Sequence, residues 1–267
     1  MIAVLAAGLA GCGDDRTADT FVIVCPDDPA LRERKGALFA VADSLERRAG
    51  AAALAGLVEA YYAPASPARI EPALGWAVQM ANLRVLDLAV HDSATREIQT
   101  ALSCLVVTED RAYFAHVGDG RIYLARDGAL RQLTTDHVEA AEQRWPRPAR
   151  PEGADHPRRT LLTRTLGTTV RLRPDFARQS INSGDIFLLC SRGVWSALTD
   201  GELLLAVSTL ASPAATCQRM FGLLGRQPQP DRATAVVLRV EGGQANLTPE
   251  CPANAWRRSP LATTASR

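Results

Sequence analysis

The chain has 267 residues, 47% of them hydrophobic and 22% charged, which is typical of a soluble globular protein with one large domain. Its formal net charge of +1 gives no electrostatic support to nucleic-acid binding, so we expect no nucleic-acid partner. The cysteines form no C-x-x-C pair, which favours buried thiols in a reduced, cytoplasmic protein over a disulfide or zinc framework. They are Cys12, Cys25, Cys104, Cys190, Cys217 and Cys251.

The apolar segment 1–12 has two interpretations. Its last four residues, Leu-Ala-Gly-Cys, resemble the cleavage box of a bacterial lipoprotein, which would be anchored at Cys12. However, no Lys or Arg precedes the apolar part, as a secretory signal requires, so we favour a first strand of the domain. No other segment approaches the roughly 20 apolar residues of a membrane helix. We therefore expect no membrane partner unless Cys12 is lipidated.

Before residue 100, apolar patterning predicts two strands, a turn and two helices. Residues 21–25 and 37–42 are short apolar runs typical of strands, and the second run ends at Asp43. Residues 25–35, with two prolines and many charges, are predicted to be an exposed turn. Residues 49–62 and 73–90 have helical spacing, and three prolines between them separate the helices.

From residue 100 the period shortens to that of strands. An antiparallel meander is predicted at 102–107, 111–117, 121–126 and 130–133, with Asp127-Gly128 as a tight turn. Residues 139–159 are polar, basic and Pro-rich, which indicates a mobile surface loop or flap over about 138–160. Residues 161–166 have the spacing of a helix.

The run Ile-Phe-Leu-Leu at 186–189 has no polar alternation, which predicts a strand buried on both faces. A sharp Ser-Arg-Gly corner follows, then helices at 194–207 and 217–224 and a last strand at 234–240. Helices thus bunch early and late around antiparallel strands, which predicts an α+β layered sandwich in one domain, residues 1–242. The polar, aperiodic residues 243–267 are predicted to be a disordered tail.

Acidic residues stand beside several predicted strands: Asp19, Asp43, Asp119 and Asp231. Carboxylates fixed at strand ends can converge, and converged carboxylates repel each other unless cations lie among them. Ligation by oxygen alone suits Mg²⁺ or Mn²⁺, and two such ions can activate a water and hold a phosphoryl group. The alternative is that each aspartate is a turn or cap residue.

Motifs in this order resemble the metal-dependent protein phosphatases (PPM, type 2C), and especially the bacterial branch that accompanies Ser/Thr kinases. The most specific motif is the run AHVGDGRIYL at 115–124, with Asp127-Gly128 and Asp136-His137 behind it. Other stretches similar to family motifs are 35–43, 161–167, 184–195 and 231–234. The resemblance therefore runs from about residue 13 to residue 240.

The resemblance implies an αββα sandwich, two antiparallel sheets flanked by helices, with Mg²⁺ or Mn²⁺ in a cleft at one end. It also implies a metal-bound water that attacks phosphoserine or phosphothreonine. The implied catalytic residues are Asp43 as the bridging carboxylate, Asp231 as a ligand of the first metal and Asp19 in the N-terminal acidic pair. Asp119 matches an aspartate that serves a third metal. Ser44 takes the place of a glycine at the metal site.

The chain departs from the family's pattern where metals bind. Arg192 replaces an aspartate that ligates the first metal, and a guanidinium offers only hydrogen-bond donors. At ~4 Å and an effective dielectric constant of about 20, its charge would repel a divalent ion by roughly 8 kcal/mol. Ala18 replaces Glu or Gln, and Arg232 replaces an asparagine. The family's phosphate-binding basic residue is out of register: Asp14 is nearest, and Arg16 could serve only if the loop has shifted.

One hypothesis is that the Arg192 guanidinium occupies the place of a metal and forks onto Asp43 and Asp231. It predicts weak or absent metal binding, and a weakly active protein or pseudophosphatase that binds a phosphoprotein or a Ser/Thr kinase. The alternative is that Arg192 points to solvent and a site persists on Asp43, Asp231 and Asp119. The protein would then be an active Mg²⁺- or Mn²⁺-dependent phosphatase.

None of the histidines is predicted to be catalytic. His137 belongs to the Asp136-His137 motif and is predicted to orient its loop. His116 lies inside a predicted strand as a packed residue, and His91 and His156 are predicted at the surface.

Overall fold

The computed structural model describes residues 2–11, 20–44, 46–91, 99–138, 161–209, 212–226 and 232–242, which form ten strands and six helices. The strands are β1 (Ile2–Gly11), β2 (Thr20–Val24), β3 (Ala37–Ser44), β4 (Thr100–Val107), β5 (Arg111–Val117), β6 (Arg121–Arg126), β7 (Ala129–Gln132), β8 (Asp175–Ser180), β9 (Ile186–Cys190) and β10 (Ala233–Gly242). The helices are α1 (Pro29–Lys35), α2 (Arg47–Tyr62), α3 (Ile70–His91), α4 (Arg192–Trp195), α5 (Asp200–Thr209) and α6 (Pro213–Leu224).

The strands make two five-stranded sheets, ordered β1-β10-β9-β6-β7 and β2-β3-β4-β5-β8, with every neighbouring pair antiparallel. The core between the sheets includes Phe39, Leu105, Phe187 and Val236. A second apolar cluster lies under α2 and α3, and a third lies under α5 and α6. The predicted αββα sandwich is therefore confirmed.

The third strand explains how the fold presents an acidic residue at its edge. Phe39 and Val41 of β3 lie between the sheets, whereas Leu38 and Ala40 lie under the helices. Because side chains alternate along a strand, Asp43 continues the series that faces the opposite sheet. β9 is also buried along its whole length, as its unbroken apolar run predicted.

The segment near the N-terminus forms a strand, as predicted. β1 pairs with β10 along its whole length. No helix in the described ranges is long and apolar enough to cross a membrane. The cysteines within those ranges are free thiols, and they are Cys25, Cys104, Cys190 and Cys217. Cys12 and Cys251 lie outside the described residues.

The exposed turn predicted at 25–35 is wrong for its second half, because residues 29–35 form α1. Pro29 suits the first position of a helix, where its missing N–H is not needed. Asp28 Oδ1 caps the helix by accepting the N–H of Ala30 at 3.0 Å.

The helix predicted at 161–166 is also absent. Leu162 forms a β-bridge with Val138, and Leu166 forms one with Thr100. Leu166 is fully buried and belongs to the apolar cluster under α2 and α3. The leucines of this segment therefore anchor irregular chain to the core and do not mark a helix.

The single helix predicted at 194–207 is two helices, α4 and α5. Thr199 Oγ1 accepts the N–H of Glu202 at 3.3 Å, and Glu202 Oε2 accepts the N–H of Thr199 at 2.8 Å. This reciprocal capping box starts α5 as a separate helix.

The predicted meander is split between the sheets, since β4 and β5 belong to one and β6 and β7 to the other. The chain crosses between them at residues 118–120. Sequence patterning also missed β8, whose residues are mostly exposed and lack an apolar face. Residues 139–160 of the predicted flap, and the tail 243–267, lie outside the described residues.

Candidate active site

Two carboxylates from different parts of the fold meet at one end of the sandwich. Asp43 lies near the end of β3, and Asp119 lies where the chain crosses from β5 to β6. Asp119 is buried, with 5% exposure. Burial and the neighbouring Asp43 carboxylate raise the pKa of Asp119 to about 7, while the charge of Arg192 acts in the opposite direction. The pair therefore carries more negative charge than its surroundings compensate.

Glycines on both sides of Asp119 allow its loop to lie directly on β4. Gly118 has φ +101°, and a Cβ there would lie 2.4 Å from Ala101 Cβ. A Cβ at Gly120 would lie 2.8 Å from the hydroxyl oxygen of Ser103. The glycines at positions 118 and 120 are thus required by the close approach of the loop to the sheet.

The Ser-Arg-Gly corner brings Arg192 to Asp43. The backbone N–H of Arg192, at the start of α4, donates to Asp43 Oδ2 at 3.3 Å. This backbone contact is the one found between the two residues in the described part of the chain, and the fork of the guanidinium onto Asp43 and Asp231 stays a prediction, because Asp231 lies outside that part. Through this contact, Asp43 caps the helical turn that carries the arginine.

The corner packs against the start of β10. Ser191 and Thr234 exchange hydrogen bonds, one from each backbone N–H, both 2.9 Å long. A Cβ at Gly193 would lie 1.7 Å from the carbonyl oxygen of Arg232, so a side chain there would force the two segments apart. Arg232, the residue in this contact, directly follows Asp231 in the chain.

Of the predicted site residues, the structure brings together Asp43, Asp119 and Arg192. Asp19, Asp231 and Arg16 lie outside the described residues, and their roles remain predictions. The Ser44 hydroxyl lies 2.9 Å from Thr100 Oγ1 and accepts the N–H of Glu46, so its side chain is engaged away from Asp43.

Sequence analysis missed an aromatic contact beside the carboxylates. The Trp195 indole donates to the backbone carbonyl of Asp119 at 2.8 Å, and the Arg121 guanidinium lies 3.5 Å from the centre of the Trp195 ring. Arg121 also binds Asp136 at 2.6 Å in a largely buried ion pair. These residues all belong to the motif stretches at 115–124, 136–137 and 184–195, which was the only available signal.

The donor set suits a hard divalent cation in part. Asp43 and Asp119 offer carboxylate oxygens, as Mg²⁺ and Mn²⁺ prefer, and their uncompensated charge favours a cation between them. Among the described residues, no three His, Cys, Asp or Glu side chains are grouped around one metal position. Asp231 is the predicted third ligand.

The sequence profile described as "Protein phosphatase 2C" matches residues 24–218 of the chain. The chain belongs to this family. It is similar to the protein phosphatase PhpP of Streptococcus pneumoniae (strain D39), with 32% identity over 127 residues, 47% of this chain and 51% of that protein. It is also similar to the serine/threonine protein phosphatase PstP of Mycobacterium tuberculosis (strain H37Rv), with 33% identity over 142 residues, 53% of this chain and 27% of that protein. The chain thus matches about half the length of PhpP and less of PstP.

Solved structures agree with the fold. The PPM Ser-Thr phosphatase MsPP from Mycobacterium smegmatis, in complex with cacodylate, has a TM-score of 0.72 at 28% identity, covering 89% of this chain and 98% of that one. The catalytic domain of PstP in complex with two manganese ions has a TM-score of 0.73 at 23% identity, covering 91% of this chain and 100% of that one. The second likeness concerns the fold alone.

Proposed function

We propose that this protein is a PPM-type Ser/Thr phosphatase-like protein with a degraded metal site. It binds a phosphoprotein or a Ser/Thr kinase in cytoplasmic phospho-signalling, with weak or absent hydrolysis. The position of Arg192 carries the proposal. Its backbone N–H donates to Asp43, and its charge partly offsets the burial and the Asp43 repulsion that raise the pKa of Asp119. An arginine thus lies beside both carboxylates that would face a metal.

A divalent ion and Arg192 compete for the same negative charge. Asp43, Asp119 and the predicted ligand Asp231 would hold Mg²⁺ or Mn²⁺, which when bound supplies an activated water for phosphate hydrolysis. The repulsion between the Arg192 charge and a divalent ion, roughly 8 kcal/mol at ~4 Å, is an upper bound because solvent and counterions screen it. Each 1.4 kcal/mol of repulsion that remains weakens metal affinity about tenfold. We therefore expect low metal occupancy.

The same arginine suits a phosphorylated ligand. A guanidinium donates two parallel hydrogen bonds to phosphate oxygens, and it stays charged at any physiological pH. A cleft that has lost metal affinity would keep an attraction for phosphoserine or phosphothreonine. The relatives named as Ser/Thr protein phosphatases support this class of ligand.

The alternative is an active Mg²⁺- or Mn²⁺-dependent phosphatase. It is favoured by the proximity of Asp43 to the buried carboxylate of Asp119. In this case Arg192 turns toward solvent when metal binds and no longer competes for the carboxylates.

Calorimetric titration with Mn²⁺, together with hydrolysis of p-nitrophenyl phosphate, separates the two. We expect millimolar or weaker Mn²⁺ binding and little turnover by the parent protein, and a gain of both in Arg192→Asp. Arg131→Asp, an exposed arginine on β7, is the matched control and should gain neither. Tight stoichiometric Mn²⁺ uptake by the parent, with turnover lost in Asp43→Ala, would establish the alternative.

A further inference from the structure

We propose that His137, oriented by Asp175, and His116 hold Gly118 by its backbone N–H and its carbonyl oxygen, and so position Asp119 beside Asp43. We call His116 and His137 the histidine clamp. Both are positioning residues, since neither touches the carboxylate of Asp119. The inference rests on the proposed role of Asp119 in the cleft, but its test does not require metal.

His137 accepts a hydrogen bond from the backbone N–H of Gly118. This N–H donates to His137 Nδ1 at 3.1 Å, so Nδ1 must be unprotonated. The ring proton is therefore on Nε2, which donates to Asp175 Oδ2 at 3.0 Å. Asp175 thus selects the only neutral tautomer of His137 that can accept from Gly118.

The backbone N–H of His137 and the His116 ring both bind the Gly118 carbonyl oxygen. The oxygen accepts from the backbone N–H of His137 at 2.7 Å and lies 2.9 Å from His116 Nε2. Because a carbonyl can only accept, His116 must carry its proton on Nε2. His116 Nδ1 then accepts from the Ser103 hydroxyl at 3.0 Å.

Burial and charge keep both tautomers fixed. His137 is completely buried, and His116 is 1% exposed. Burial lowers the pKa of His116 to about 3, so its ring is neutral near pH 7. Burial acts to raise the pKa of Asp175, but hydrogen bonds from His137 and Arg164 outweigh it and lower this pKa. Asp175 is therefore an ionised acceptor at neutral pH.

The clamp acts on the residue directly before Asp119. Gly118 has φ +101°, a conformation that glycine adopts readily and that the paired hydrogen bonds hold. Trp195 holds the Asp119 carbonyl on the other side of the residue. With the backbone fixed on both sides, the position of the Asp119 Cα and the direction of its Cα–Cβ bond are set before any ion or ligand binds.

The test uses Asp175→Ala, which removes the acceptor, and Asp175→Asn, whose amide oxygen can still accept from His137 Nε2–H. Arg164→Gln is the matched control, since it removes the other hydrogen bond to Asp175 and leaves the His137 bond in place. Asp175 is half exposed, so folding should survive each change. The measurements, in metal-free buffer, are ¹⁵N-histidine spectra for the tautomers and amide hydrogen exchange at Gly118 and Asp119.

We expect Asp175→Ala to lose the unprotonated Nδ1 signal of His137 and to speed exchange at Gly118 at least tenfold. Asp175→Asn and Arg164→Gln should keep the signal and most of the protection. If Asp175→Ala leaves the tautomer and Gly118 exchange unchanged, or if Arg164→Gln has the same effect as Asp175→Ala, the clamp is overturned. A failure of Mn²⁺ or phosphate binding would instead count only against the proposed function.

Discussion

Trp195 donates its indole N–H to the backbone carbonyl of Asp119 at 2.8 Å, which ties the turn after β9 to the loop between β5 and β6. Arg121 lies against the face of the same ring and pairs with Asp136. The corner that carries Arg192 and the loop that carries Asp119 are therefore joined by contacts that need no metal ion. These contacts hold Asp119 and α4 in place whichever residue occupies position 192.

Trp195→Phe removes the hydrogen bond to Asp119 and keeps an aromatic ring beside Arg121. We expect a loss of about 1 kcal/mol in the free energy of unfolding, the usual value for one hydrogen bond. Urea unfolding followed by circular dichroism measures it. The control is Trp76→Phe on α3, whose ring packs on the core and donates no hydrogen bond among the described residues. Equal losses in the two variants would contradict a specific role for the Asp119 bond.

Gly193→Ala tests the close contact between the Arg192 corner and β10. The added Cβ would lie 1.7 Å from the Arg232 carbonyl oxygen, so the backbone must move. We expect a loss of about 3 kcal/mol, at the upper end of overpacking effects. Gly201→Ala on α5 meets nothing within 4 Å and should be neutral or slightly stabilising, because alanine favours helix. A tolerated Gly193→Ala would mean that the corner is not packed as described.

His116 should make the protein sensitive to acid. Burial lowers its pKa to about 3 in the folded state, whereas an unfolded histidine titrates near 6.5. Below about pH 6.5, His116 takes up a proton in the unfolded chain but not in the folded protein. Stability is therefore lost as pH falls toward the pKa of the folded state. At pH 5 this amounts to about 2 kcal/mol.

His116→Gln should therefore flatten the fall in unfolding free energy between pH 7 and pH 5 by about that amount. Denaturant unfolding at several pH values measures it. His91→Gln, which replaces an exposed histidine at the end of α3, is the control, and His116→Gln should flatten the curve more than this variant does. Parallel curves for the parent and His116→Gln would show that another group causes the acid sensitivity.

Sequence patterning predicted the fold well where burial is uniform or periodic. β3 and β9 are buried on both faces, and their unbroken apolar runs are the direct result. β8 was missed because an exposed edge strand needs no apolar face. The helix predicted at 161–166 failed because the same leucine spacing also anchors irregular chain in the core.

The site was predictable only in its charged residues. Asp43 and Asp119 stand at strand ends, where carboxylates are visible in the sequence, and the structure brings them together. The bonds from Trp195 to Asp119 and from Gly118 to His137 join residues 76 and 19 positions apart, and no local periodicity encodes them. The backbone contact of Arg192 with Asp43 was not predicted, since a sequence gives no sign of whether a side chain or its backbone will donate.

Asp119→Asn tests whether the charge of Asp119 destabilises the folded protein in the absence of metal. Without metal, Asp119 is a buried carboxylate that faces Asp43, so its charge destabilises the folded state. The neutral amide should raise the unfolding free energy at pH 8 in chelator by about 2 kcal/mol, as expected for removal of an uncompensated buried charge. Asp110→Asn, an exposed aspartate in the β4–β5 hairpin, should change it little. Mn²⁺ at ten times its Kd should add about 1.4 kcal/mol to the parent and less to Asp119→Asn. If the amide destabilises the metal-free protein, Asp119 is a structural acceptor, and the carboxylate pair was not under electrostatic strain.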